Sequence, residues 1–253
     1  MGRKLGKTLL LILAMALAPA ASAELVADLS NSEVKVSYRY EGETLLVFGS
    51  LPEPGGHVVV EVRGPAEART IQRKGQVMGF LWMNVDALTI EDFPGYYALL
   101  SDVPVERFLG EAERNRLGLG REALFAGADY HGDADRAGPR EYFDGLLRHM
   151  TEAGLYQEKP EAVTIKRGRL FRAELRLPAQ APVGDYEIVV RQWKDGAMVH
   201  SDTRTLTVAK AGVEKWLYRL AHGHPAWYGI MAVVVALLAG WFVGMITRGE
   251  GEH

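Results

Sequence analysis

The chain has 253 residues, a formal net charge of −3, 48% apolar residues and no cysteine. That apolar share supports a packed core and excludes general disorder, and the near-neutral balance, with no basic stripe, lacks the electrostatic footprint of a nucleic-acid binder. The missing thiols exclude a disulfide framework, thiol catalysis, cysteine-ligated zinc and iron–sulfur clusters.

Residues 1–23 are expected to form a secretory signal. Arg3, Lys4 and Lys7 make a basic start, Leu9 to Ala18 an apolar centre, and Ala21-Ser22-Ala23 a small-residue cleavage site before Glu24. Strands follow. EVKVSYRY alternates Val34, Val36, Tyr38 and Tyr40 on one face, and TLLVFGSL is an apolar run suited to a central strand, ended by Pro52 and Pro54-Gly55-Gly56. HVVVEVRGP, RTIQRKG, FLWMNVDALTI and YYALLSDVP continue the series. Short strands with turn signals roughly every 8–12 residues predict a sandwich or barrel.

The middle changes character. From Pro104 the apolar period becomes helical, with Val105, Phe108 and Leu109 on one side, and FAGADYHGDADRAGPR reads as a loop. Pro139 opens a second helix with Phe143, Leu146, Leu147 and Met150 on one face, and Gly154 is its stop. Strands resume at AVTIKRGRLFRAELRLP. In the stretch from Pro182 to Val208, Tyr186, Ile188 and Val190 alternate with Glu187, Val189 and Arg191, and Asp195-Gly196 demands a tight hairpin turn. Pro182-Val183-Gly184-Asp185-Tyr186 resembles a strand start found near the end of many immunoglobulin-like and fibronectin-like modules. The expected fold is mainly β. It is an immunoglobulin-like β-sandwich over residues 24–210 with a helical insertion at about 104–157. Two separate small sheets are the alternative, although the second, of about 50 residues, would be marginal alone.

After the sandwich, Val213, Trp216, Leu217 and Leu220 share one face while Lys215 and Arg219 point elsewhere. This predicts a juxtamembrane amphipathic helix over 211–224, with Trp216, Lys215 and Arg219 at the membrane interface. Residues 225–247 read as a transmembrane helix. Ala226 to Thr247 carries no formal charge, and about 20 apolar residues span a bilayer core. Pro225 suits the first helical position, and Trp227 and Tyr228 suit the interfacial aromatic belt. Ala232, Ala236, Gly240 and Gly244 recur every fourth residue, a stripe that lets another helix pack closely, as a membrane-protein partner or a second copy. With an exported N-terminus, residues 24–224 lie outside the inner membrane, in the periplasm, and 248–253 form a cytoplasmic tail.

Chemistry is sparse. Asp129, His131, Asp133 and Asp135 form the densest polar cluster, and oxygen-rich loops of this kind bind Ca²⁺ or Mn²⁺. The run departs from the EF-hand pattern, however, and such runs are more often solvated loops. His222 and His224, spaced i, i+2, offer weak copper or zinc ligation, with helix capping and headgroup contact as the bland alternative. Trp82, Trp193, Tyr96 and Tyr97 are expected to fill the core or, facing outward, to make a binding surface. There is no G-x-S-x-G, H-E-x-x-H, Walker loop or dinucleotide fingerprint on a βαβ unit, so a non-enzymatic protein without cofactors is expected.

The segments VVVEVRGP, GFLWMNVDALTI, PGYYALLSDVP, GLYQE, LFRAELRLPAQAPVGDYEIVV and HPAWYGIMAVVVALLAGW resemble an alphaproteobacterial transmembrane protein family over nearly the whole mature chain. The resemblance implies a Gram-negative inner-membrane anchor with a periplasmic domain. It implies no activity and carries over no functional residues. Some members are encoded beside sulfite-exporter-like permeases, which implies an accessory role. The expected function is that of a membrane-anchored periplasmic accessory or assembly protein, supporting a transporter or complex by protein contact. The alternative is a tethered ligand- or metal-binding module.

Overall fold

The computed structural model describes residues 24–37, 40–77, 80–133, 138–210, 221–223 and 225–247. The expected signal, the amphipathic segment at 211–220 and the tail lie outside them. The strands are β1 (Val26–Leu29), β2 (Glu33–Val36), β3 (Glu43–Ser50), β4 (His57–Arg63), β5 (Ala66–Val77), β6 (Leu81–Pro94) and β7 (Tyr97–Ser101). A 3₁₀ turn (Val105–Arg107) and helices α1 (Glu111–Leu117) and α2 (Arg121–Gly127) follow, then β8 (Asp129–Asp133) and α3 (Gly138–Glu152). The chain continues through β9 (Tyr156–Lys159), β10 (Val163–Lys166), β11 (Leu170–Leu177), β12 (Gly184–Lys194) and β13 (Ala197–Lys210) to α4 (Pro225–Thr247).

Two sheets make the main body, ordered β1-β3-β11-β10 and β2-β13-β12-β4-β7-β9. Each mixes strands from both sides of the helical stretch. Strand alternation explains the core between them. In β11, Phe171, Ala173, Leu175 and Leu177 are buried and their neighbours are exposed, as period-2 geometry requires. They share one apolar cluster with Val58, Val60 and Val62 of β4 and Tyr186, Ile188 and Val190 of β12. The central strands β4 and β7 are buried on both faces because the 3₁₀ turn and the helices cover the outer face of the larger sheet. That double burial is why they read as apolar runs and not as alternation.

The hairpin expected at Asp195-Gly196 joins β12 to β13, with Lys194 opposite Ala197. Both turn residues have positive φ, 52° and 81°, the type I′ requirement that glycine and aspartate meet at low cost. Gly154 closes α3 as expected, at φ 71°. Its N–H reaches the Thr151 carbonyl and the Leu155 N–H reaches that of Met150, which satisfies the last carbonyls of the helix.

The third sheet, β5-β6-β8, departs from expectation in two ways. First, β5 and β6 are a prolongation of the β4–β7 ladder. Gly64 N–H donates to Tyr96 O at 2.8 Å and Gly95 N–H to Pro65 O at 2.9 Å, so pairing runs on unbroken from Arg63–Tyr97 to Ala66–Pro94. The ribbon continues through two bulges to Val77–Leu81, and Asp92, at φ 50°, lies in the first bulge. Second, the stretch expected to be a loop contains β8, which pairs with Ala87–Glu91. No local pattern encodes that strand; its partner does. Gly132 lies opposite Leu88 there, and a Cβ would come within 2.6 Å of the Ala87 carbonyl. Helix α3 flanks the ribbon. Phe143 meets Phe93 edge-on at 5.9 Å, and Glu141 approaches Arg73 at 4.0 Å.

Candidate functional site

A charge sits where the sheet is most apolar. Glu61 interrupts the valine run of β4, and its side chain is only 2% exposed. Pleating puts it on the outer face with Val59 and Arg63, beside Glu187, Val189 and Arg191 of β12. Its carboxylate accepts Arg63 Nε at 2.7 Å on Oε1 and Arg191 Nη1 at 2.6 Å on Oε2. Such charge-assisted bonds compensate the burial of the carboxylate.

The network reaches into the helices. Arg63 Nη2 donates to the Gly118 carbonyl at 2.7 Å, and the guanidinium lies 5.7 Å from the centre of the Tyr97 ring. Gly118 ends α1 in the left-handed region, φ 71°, and a Cβ there would lie 2.5 Å from Arg63 Nη2. Glycine therefore serves both the helix stop and the arginine. Tyr97 Oη accepts the Gly120 N–H at 2.8 Å. Burial, then the Glu61 charge, push the Tyr97 phenol well above its ordinary value of 10.0, so it stays neutral. Tyr156 stacks on Tyr97 at 5.6 Å and donates to Glu158, whose carboxylate also takes the Arg121 N–H at the start of α2.

Above these groups lies a cleft of about 470 Å³ between the sheet, the ribbon base and the first two helices. Glu61, Arg63 and Arg191 line its inner wall, and the exposed Glu187 and Asp92 also line it. Its lining holds no serine, histidine or lysine. What it offers is fixed charge of both signs. This trio was readable in the sequence as a glutamate inside VVVEVR and an arginine inside EIVVRQW, but nothing local tells a buried ion pair from a solvated charge.

The candidates from the sequence are placed as follows. Asp129 and His131 share one face of β8, Oδ2 to Nε2 3.3 Å, and Glu91 reaches the same imidazole nitrogen at 3.9 Å. All three side chains are more than half exposed. Asp133 ends β8, its side chain outside the described set, and Asp135 lies outside the described residues. No group of three or more potential ligands is arranged to hold a metal among the described residues. His222 sits in the short helical piece at 221–223, while His224, Lys215, Trp216 and Arg219 are outside the described residues. Trp193, Tyr96 and Tyr97 are fully buried. Trp193 packs under Phe108, which stacks at 4.5 Å on His57, itself held by Asp102 at 3.0 Å.

Ala232, Ala236 and Gly240 recur along α4, with Gly244 one further step on in its backbone. Trp227 and Tyr228 lie in its first turn and are exposed, as are the described large apolar side chains along the helix other than the half-buried Met231. None of the window Pro225–Phe242 is buried against the rest of the chain. A helix this apolar, uncovered by protein, matches lipid and not water.

A mainly β body of several sheets, with few helices and one C-terminal helix long and apolar enough to cross a membrane, defines the class. The chain belongs to the family described as "Putative transmembrane protein (Alph_Pro_TM)", whose model matches residues 24–249, taking in both the β body and the helix. No curated protein matches the chain in sequence.

Proposed function

We propose that this is a single-pass inner-membrane protein whose periplasmic body works by contact with a membrane partner, as an accessory or assembly factor. The observation that carries the reading is α4, uncharged over 225–247 and uncovered by its own domain. The body completes its core without that helix, so α4 is free to anchor and to pack. The signal expected at 1–23 puts the body on the outer side.

We read the body as an immunoglobulin-like sandwich. The strand order supports it, with β2 joining the larger sheet parallel to β13 while β1 stays in the smaller one. So does Tyr186, whose hydroxyl donates to Pro182 O at 2.6 Å, the back-bond of a tyrosine corner. A fold of this kind fixes no chemistry by itself, so the accessory reading rests on the anchor and not on the sandwich.

The test is purification of tagged full-length protein from native membranes in mild detergent, with and without Gly240→Leu/Gly244→Leu. The small-residue stripe allows close helix approach, so the double change should release a stoichiometric partner. Co-purification that persists unaltered refutes the stripe, and recovery of the protein alone from wild-type membranes refutes the accessory reading. A ligand-binding module is the second reading, favoured by the mixed-charge cleft. Calorimetry with Ca²⁺, Mn²⁺, Cu²⁺ and Zn²⁺, alongside Asp129→Asn/His131→Ala, tests its metal-binding form; no heat removes that form.

A further inference from the structure

The cleft over Glu61 has a positive floor and a negative rim. At the floor two guanidinium groups share one carboxylate, which leaves a surplus of positive charge. Neither arginine is used up by the bond. Arg63 gives Nε to Glu61 and Nη2 to the Gly118 carbonyl, and Arg191 gives Nη1 to Glu61. A guanidinium carries more N–H donors than these bonds use, so both arginines keep donors for another acceptor.

The rim carries the opposite sign. Glu187 stands directly opposite Arg63 in the β4–β12 register, and side chains of such a pair start about 5 Å apart on one face. Yet Arg63 is turned to Glu61 and Gly118. The exposed Glu187 carboxylate makes no hydrogen bond or ion pair among the described residues. Asp92, at the ribbon base, is exposed and equally unpaired. Glu91 adds to the negative side, although it also faces His131 at 3.9 Å. Arg116, the remaining cation of the lining, is held by both oxygens of Glu113, at 2.5 and 2.8 Å, and does not neutralise the rim.

A ligand with one sign of charge fits this arrangement badly. An anion drawn to the arginines meets the rim carboxylates, and a cation drawn to the rim meets the arginines; like-charge approach is costly in both cases. A molecule whose two charges are as close together as Arg63 and Glu187 gains at each end. The walls between are apolar. Phe93 and Leu124, both buried, and the half-buried Leu117 line the cleft. Its volume of about 470 Å³ falls in the range of small-molecule sites.

We propose that the cleft binds a zwitterion of the α-amino acid type with an apolar side chain. The ligand carboxylate takes the free N–H groups of Arg63 and Arg191, its ammonium takes Glu187, and its side chain lies on Phe93, Leu117 and Leu124. The proposal rests on the ligand-binding reading above and names the class of ligand.

Isothermal titration of the full-length protein in dodecyl maltoside tests it. The titrants are L-leucine and L-phenylalanine, with analogues that keep a single charge: isocaproate and isoamylamine for the first, hydrocinnamate and phenethylamine for the second. Expected is binding of at least one amino acid, with both of its single-charge analogues weaker by about tenfold or more, the loss of one charge-assisted contact. Glu187→Gln removes the partner of the ammonium at an exposed, unpaired position. That variant should melt within about 2 °C of wild type, bind the amino acid about tenfold more weakly, and bind the carboxylate analogue no less well. Amino-acid binding unaltered in Glu187→Gln, or a carboxylate analogue as tight as its amino acid, overturns the zwitterion while the ligand-binding reading stands. Silence from every compound overturns the inference and leaves the ligand-binding reading to the metal titrations alone.

Discussion

Replacing Glu61 with alanine tests the claim that a buried ion trio ties the helices to the sheet. The change strands two guanidinium groups, and they differ. Arg191 is 14% exposed and Glu61 is its charge partner, whereas Arg63 is 34% exposed and keeps the Gly118 carbonyl. Removing one member of a buried pair costs about 3–5 kcal/mol. Because Arg63 is partly solvated its share is discounted, which places the expected loss near the lower end, about 3 kcal/mol. For a body of this size that corresponds to a Tm lowered by roughly 6–12 °C. The assay is thermal unfolding of the full-length protein in detergent, followed by near-ultraviolet circular dichroism from the buried Trp193 and tyrosines. The double change Glu61→Leu/Arg191→Met removes both the carboxylate and its most buried partner, and should recover to within about 1 kcal/mol of wild type. A single variant that melts within about 2 °C of wild type, or a double variant no better than the single, refutes the reasoning.

Other outcomes follow from the same physics. Arg140 bonds Glu122 through both oxygens, 2.6 and 2.7 Å, and holds its carboxyl below the ordinary 4.5. A depressed folded value means this stabilisation is complete above pH 4.5 and is lost as pH falls through the lower folded value; Glu122→Gln should flatten that acid limb in a Tm–pH series. Burial raises Tyr96, Tyr97, Tyr156 and Tyr186 above 10.0, and pushes Tyr130 up to about 12. Raised values leave stability intact below pH 10 and remove it as pH climbs through the folded values, so tyrosinate absorbance of these rings should rise together with unfolding and not before it. Tyr186→Phe keeps the buried ring but leaves the Pro182 carbonyl unbonded, and should lower urea-measured stability by about 1 kcal/mol. Gly132→Ala adds a Cβ beside the Ala87 carbonyl at positive φ and should speed amide exchange across β8 and its partner strand; unaltered exchange there contradicts the close approach described.

Local features of this protein are written in short stretches of sequence. The turn at Asp195-Gly196, the stop at Gly154, the alternation of β11 and the uncharged run of α4 each depend on a few neighbouring residues, and the backbone chemistry of glycine, aspartate and apolar periodicity decides them. Pairing decided the rest. β2 lies beside β13, with Val34 opposite Val208. β8 is a strand only because β6 lies beside it. RTIQRKG and FLWMNVDALTI read as two ordinary strands, and only the unbroken register through Gly64–Tyr96 and Pro65–Gly95 makes them one ribbon reaching past the body. The trio at Glu61 belongs with these. Its glutamate and nearer arginine stand two residues apart, but Arg191 comes from a strand 130 positions on. A charge in an apolar strand declares its partner only when the sheet is assembled, because burial and counter-charge are properties of the packed whole and not of the segment.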